Sequence, residues 1–160
     1  MSVYTKLHTI QAQVQSVEKN GVNKFQKYNY VTLNDILNAV RPFLKELGLC
    51  VFQSTTSHNS KTEFLDEKTF YSMSEVHIDT TLVDTEDNSQ ITVGSVGYST
   101  DKNGDKAAFK AETGARKYGL LKLFGLDTCE AEPEEDGEPA VTSTQKSIPK
   151  QGVGTRGKLF

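Results

Sequence analysis

A chain of 160 residues, 36% of them hydrophobic and with a formal charge of −3, is one domain's worth of sequence and excludes a two-domain enzyme. No apolar run nears the roughly 20 residues that span a bilayer, and the start MSVYTKLHTI has neither a signal-peptide nor a transit-peptide pattern, so a cytoplasmic location is expected. Cys50 and Cys129 lie far apart and make no ligand spacing with His8, His58 or His77, which points to free thiols and away from a zinc site.

Along the chain, Val3, Leu7, Ile10, Val14 and Val17 recur at spacings of four and three, which predicts an apolar stripe on a helix ended by Asn20-Gly21. The same stripe is heptad-like and offers a surface for self-association. NKFQKYNYV then reads as a polar loop in which Phe25, Tyr28 and Tyr30 sit among Lys24 and Lys27. Such a cluster suits stacking on bases beside phosphates, or its rings tuck into the core. Thr32 with Asp35 resembles a capping box opening a second helix that carries Ile36, Leu37, Val40, Phe43, Leu44 and Leu47, with Gly48 as its stop. Pro42 is expected to kink or split it.

From Leu49 the pattern turns to β. LCVFQSTT, FYSMSEVHIDTTLV and QITVGSVGY are rich in β-branched and aromatic residues, with a turn at DTEDNS. Strands grouped together, rather than alternating with helices, predict an α+β fold: a three-stranded antiparallel sheet, as a meander or a hairpin plus edge, flanked by helices. Glu75, Asp79 and Asp84 raise the prospect of a metal-dependent nuclease, but Asp84 falls on the other strand parity, and solvated strand acids are the plainer reading.

DKNGDKAAFKAETGARKYGLLKLF predicts a last helix with Asp105 as its cap. Asp101, Asn103, Asp105 and Glu112 match EF-hand ligand positions, but the sixth position, which needs Gly, is Lys106, so a turn plus cap is expected instead. At 100° per residue Ala107, Ala108, Ala111, Ala115 and Tyr118 share a small-residue face for close packing on the sheet. Lys106, Lys110, Thr113 and Lys117 share the opposite face, a line of roughly 16 Å that matches a few phosphates or is simply solvated. Arg116 and Lys102 add to the basic character of this segment.

Charge is segregated more than its sum suggests. Residues 127–139 hold seven acids and no base, and residues 140–160 four bases and no acid, which leaves 14 of each in residues 1–126. The folded domain is expected to span 1–126, and 127–160, rich in Glu, Pro, Gly, Ser and Thr, to be a disordered tail, acidic then basic. The tail reads as a solubilising linker or as a docking segment for another protein.

The blocks KYNYVTLNDILNAVRPFLKELGL and GYSTDKNGDKAAFKAETGARKYGLLKLFGL, with a β region between them, resemble the ERF (essential recombination function) family of phage-type single-strand annealing proteins. The resemblance covers roughly residues 3–130. It implies a non-enzymatic, ATP-independent protein that coats single-stranded DNA, anneals complementary strands in homologous recombination and assembles into rings or arcs, in the host cytoplasm if phage-encoded. Lys24, Lys27, Tyr28, Tyr30, Lys102, Lys106, Lys110, Arg116 and Lys117 are then the expected DNA-binding residues, with no catalytic residue, metal or cofactor. Host or phage recombination proteins are candidate partners of the tail. The competing class is a protein-interaction module that binds no DNA.

Overall fold

A computed structural model describes residues 1–24 and 27–126. The proposed tail and Phe25 lie outside the described residues. The elements run α1 (Val3–Gln13), β1 (Gly21–Asn23), β2 (Tyr28–Tyr30), α2 (Leu33–Glu46), β3 (Leu49–Phe64), β4 (Phe70–Asp84), β5 (Gln90–Lys102) and α3 (Ala107–Phe124). This is the α+β arrangement expected: β3, β4 and β5 form an antiparallel meander in sequence order.

One face of the meander is buried. On β4 the side chains alternate, and Ser74, Val76, Ile78, Thr80, Leu82 and Asp84 are buried under α3 and its neighbours. Phe52 and Tyr98, on the other face, are exposed. The main core joins Val3 and Ile10 of α1, Ile36 and Val40 of α2, Leu49 and Leu82 of the sheet, and Leu120 and Phe124 of α3. A second cluster sets Ala111 and Ala115 on Val76 and Ile78.

Small residues bring α3 down onto the strands. A Cβ at Gly97 would stand 2.0 Å from the Ala111 carbonyl oxygen, and one at Gly119 would stand 2.2 Å from Thr80 Oγ1. Neither site has room for a methyl group, so both glycines permit the close approach. Ser95 Oγ donates to the Ala115 carbonyl at 2.8 Å across the same seam. The helix is continuous through Gly114 and Gly119.

Several expectations need correction. α1 ends at Gln13, where the Val14 N–H makes the last helical bond to Ile10; Val14 and Val17 stay buried outside the helix. The apolar stripe is thereby spent on this chain's own core and does not supply a self-association seam. The polar loop folds into a two-stranded hairpin, β1–β2, with Lys27 at a φ of 59° in its turn. Pro42 does not split α2: it lies on the exposed face of a continuous helix, where one missing N–H is tolerated. β3 runs eight residues further than LCVFQSTT, because the Ser/Thr/Asn-rich stretch to Phe64 still finds partners on β4, past a bulge between Thr55 and Ser57. Asp105 does not cap α3. The start of the helix takes its carboxylate from Asp101, which accepts from the Lys106 N–H at 3.0 Å.

Candidate nucleic-acid interface

Two separately predicted basic clusters meet at one cleft. Val22, Asn23, Lys24, Tyr28 and Tyr30 from the β1–β2 hairpin and Lys110, Lys117 and Tyr118 from α3 line an open cleft of about 830 Å³. Each part has a local cause. The 28–30 alternation puts Tyr28 and Tyr30 in an edge-to-face pair with centroids 6.2 Å apart. Gly21 opposite Tyr30 leaves room for that ring, since a Cβ there would lie 2.7 Å from it. On α3, Lys110 and Lys117 are seven residues apart, two turns along one face. Lys117 Nζ stands 5.0 Å from the Tyr118 ring centroid, a distance at which a cation is attracted to the ring face.

The cleft thus offers ammonium groups and aromatic rings together. Lys110 is held by Asp101, and the Lys110 ammonium and the Lys106 N–H keep the Asp101 carboxyl below the ordinary carboxylate value. That carboxylate fixes both the first turn of α3 and the lysine that follows it.

Of the nine expected residues, Lys24, Tyr28, Tyr30, Lys110 and Lys117 line the cleft, while Lys27, Lys102, Lys106 and Arg116 do not. Lys27 is in the hairpin turn, and Lys106 is exposed at the N-cap position of α3, where its side chain makes no capping bond. Arg116 points to the β3 side, where its Nε donates to Gln53 Oε1 at 3.2 Å and Gln53 Nε2 donates to the Arg116 carbonyl at 2.8 Å. Lys102 ends β5 on the exposed sheet face, opposite Tyr71.

Tyr118, which the helical projection puts among the alanines, is exposed and lines the cleft. The seam against the sheet follows every fourth residue, Ala107, Ala111, Ala115 and Gly119, and turns by about 40° per step. By Gly119 it has rotated about 100° away from Tyr118. That rotation was the signal in the sequence, had the stripe been followed rather than averaged. Val22 and Asn23, also in the cleft, had no signal before the hairpin existed.

The nuclease triad does not converge. Glu75 pairs with His77 at 2.5 Å on the uncovered face with Asp79. Asp84, rather than being a solvated acid, is fully buried on the other face with Lys6. Among the described residues no group of three or more His, Cys, Asp or Glu could hold a metal ion, and no helix among them is long and apolar enough to cross a membrane.

Comparison with known proteins agrees with the resemblance noted in the sequence. The essential recombination function protein of Salmonella phage P22 is 32% identical over 135 residues, which cover 82% of this chain and 60% of that protein. The chain therefore spans less than two thirds of that relative's length. The family model described as the ERF superfamily matches residues 3–155. With most of its length matched, the chain belongs to the ERF superfamily.

Proposed function

We propose that this chain acts in DNA recombination by binding single-stranded DNA along the cleft between the β1–β2 hairpin and α3 and annealing complementary strands, without ATP and without phosphodiester chemistry. The observation that carries this reading is the convergence of Lys24, Lys110 and Lys117 with Tyr28, Tyr30 and Tyr118 in one open cleft. Sequence-neutral binding of a single strand calls for cations along phosphates and rings under bases, and each stacked base contributes about 1–3 kcal/mol. The P22 relative's name carries recombination; annealing and strand binding come to this chain as our reading. Annealing also requires holding two strands in register, which one small domain is too short to do. The protein accordingly works as a homo-oligomer of more than two copies, in the cytoplasm where such DNA is found.

The test is annealing of two complementary fluorescent oligonucleotides with the full chain, in the absence of ATP and divalent metal. Annealing faster than the protein-free rate, in proportion to protein, is expected; an unchanged rate across concentrations defeats the reading. Replacing Lys24, Lys110 and Lys117 together with Gln should flatten the dependence of log affinity on log salt by about 2, at about 0.7 per lost contact with a single strand. Loss should be similar for all base sequences, since phosphates carry none. Strand binding absent even at low salt would leave the interaction-module class.

A further inference from the structure

The meander distributes its charge against the usual rule for sheets. Residues 49–60 of β3 and 90–100 of β5, the two edge strands, contain no Asp, Glu, Lys, Arg or Pro. Glu75, His77, Asp79 and Asp84 are all on β4, the strand between them. An edge strand turns a row of N–H and C=O groups outward that can pair with any other strand. Monomeric proteins guard such edges with charges, prolines, bulges or short length. Here β3 has 16 residues, bent once by its bulge between Thr55 and Ser57, and β5 has 13. Within the described residues each pairs only with β4. The β5 pairing runs without a bulge from Gln90 to Lys102. A side chain does reach this strand, for Lys122 Nζ donates to the Gly94 carbonyl at 3.4 Å.

We propose that the two neutral edges form one interface, β3 of one copy pairing with β5 of the next, so that the sheet continues from chain to chain. This rests on the multimer reading above and gives that multimer its surface. A second copy is the occupant because the chain supplies both halves of the match. The two neutral runs have nearly equal lengths, about 36–40 Å at 3.3 Å per residue. Both are rich in Ser and Thr, and neither repels the other. Every added copy leaves one edge of each kind free. Contact between two unlike surfaces is heterologous, and such contacts close into rings or continue as open arcs according to the rotation between copies. The β1–β2 hairpin is not part of the pairing edges, so the cleft on each copy stays open to a strand that passes along the assembly.

The experiment blocks each edge in turn with lysines at exposed positions. Thr92→Lys with Tyr98→Lys guards β5, and Phe52→Lys with Ser54→Lys guards β3. Mass photometry at micromolar protein, with and without an oligo-dT strand, reads the assembly, and circular dichroism reads the fold. Each blocked variant is expected at single-chain mass. An equal mixture of the two is expected to give a two-chain species and nothing larger, because one good β3 then meets one good β5. Blocked variants that keep the wild-type mass distribution would overturn the edge pairing while leaving the multimer reading intact. A wild-type chain that stays single with DNA present would defeat the multimer reading, and the interface with it. A blocked variant that forms two-chain species by itself would mean that like edges meet, which also overturns the proposal. Should a variant fail to fold, hydrogen exchange on the wild-type protein decides: outward amides of β3 and β5 should slow at least tenfold between dilute single chains and the assembly. Unchanged exchange there refutes the pairing.

Discussion

Lys6 is a lysine on a buried position of α1, and it stays charged there because its hydrogen bonds to two carboxylates outweigh the desolvation that burial imposes. Its Nζ donates to Asp84 Oδ1 and to Glu86 Oε2, each at 2.8 Å. Asp84 Oδ1 also accepts from the Glu86 N–H at 3.0 Å, while Asp84 Oδ2 has no hydrogen-bond partner. The Lys6 ammonium, with that N–H, holds the Asp84 carboxyl below its ordinary value of 3.8, and the Asp84 and Glu86 carboxylates raise Lys6 above 10.5. Since the folded value of Asp84 is depressed, its contribution is complete above the ordinary carboxylate value and is lost as pH falls through the folded value. Lys6 has the opposite sign: its contribution is complete below 10.5 and is lost as pH rises through the raised folded value. Urea midpoints should therefore be level between about pH 5 and about pH 9 and fall on both sides. Lys6→Met should lower the midpoint at pH 7 clearly, because it strands a buried carboxylate. Lys6→Met with Asp84→Asn should recover part of that loss and flatten the acid limb. A double variant no more stable than the single one would show that the pair's charges do not matter to each other.

At the scale of elements, α3 separates two kinds of glycine. Gly97→Ala drives a methyl into the Ala111 carbonyl and should cost about 1–3 kcal/mol, the usual penalty of overpacking. Gly114→Ala meets open space and should raise stability by up to about 1 kcal/mol through helix propensity. Thr32→Ala removes the hydroxyl of a complete capping box on α2, in which Thr32 Oγ1 accepts from the Asp35 N–H at 3.2 Å, and should cost about 1 kcal/mol. Thermal unfolding of the three variants, with the opposite sign for Gly114→Ala, checks the set. These elements also mark how far the sequence alone reaches. The helices and the meander were legible because hydrophobic period and turn residues agree locally, with a true capping box on α2; the stop of α1 and the cap of α3 were not, since Gln13 ends the one and Asp101, not Asp105, serves the other. The β1–β2 hairpin was not, since three-residue strands give too little alternation to detect. The length of β3 was hidden because Ser, Thr and Asn signal loops until a partner strand is at hand. At the cleft, lysines and tyrosines could be picked by type, but which of them converge depends on the rotation of the α3 seam and on a hairpin that had no visible pattern. Arg116 shows the limit: its type suits a phosphate, and its place on the helix gives it to Gln53.

The whole chain is close to neutral but polarised. Residues 63–87 hold eight acids and one base, and residues 101–126 six bases and three acids. On the proposed reading, attraction to a polyanion comes from the local field beside α3 and not from the sum of charges. Stopped-flow association with an oligo-dT strand should slow as salt is raised toward 0.15 M, where exposed charges more than about 8 Å apart are largely screened. A rate indifferent to salt would place the strand away from α3. The ion pair of Lys6 with Asp84 has one more consequence, for the order in which the chain can be made. Its partners are 78 residues apart. At about 5–20 residues per second, Lys6 is joined to the chain roughly 4–16 s before Asp84 is. During that interval Lys6 lacks its ion pair, and Val3, Leu7 and Ile10 lack the sheet that covers them. Nascent chains arrested before residue 84 should be cut by protease within α1, and those released after α3 should not. α1, made before the rest of this fold, is among the last of its elements to be locked in place.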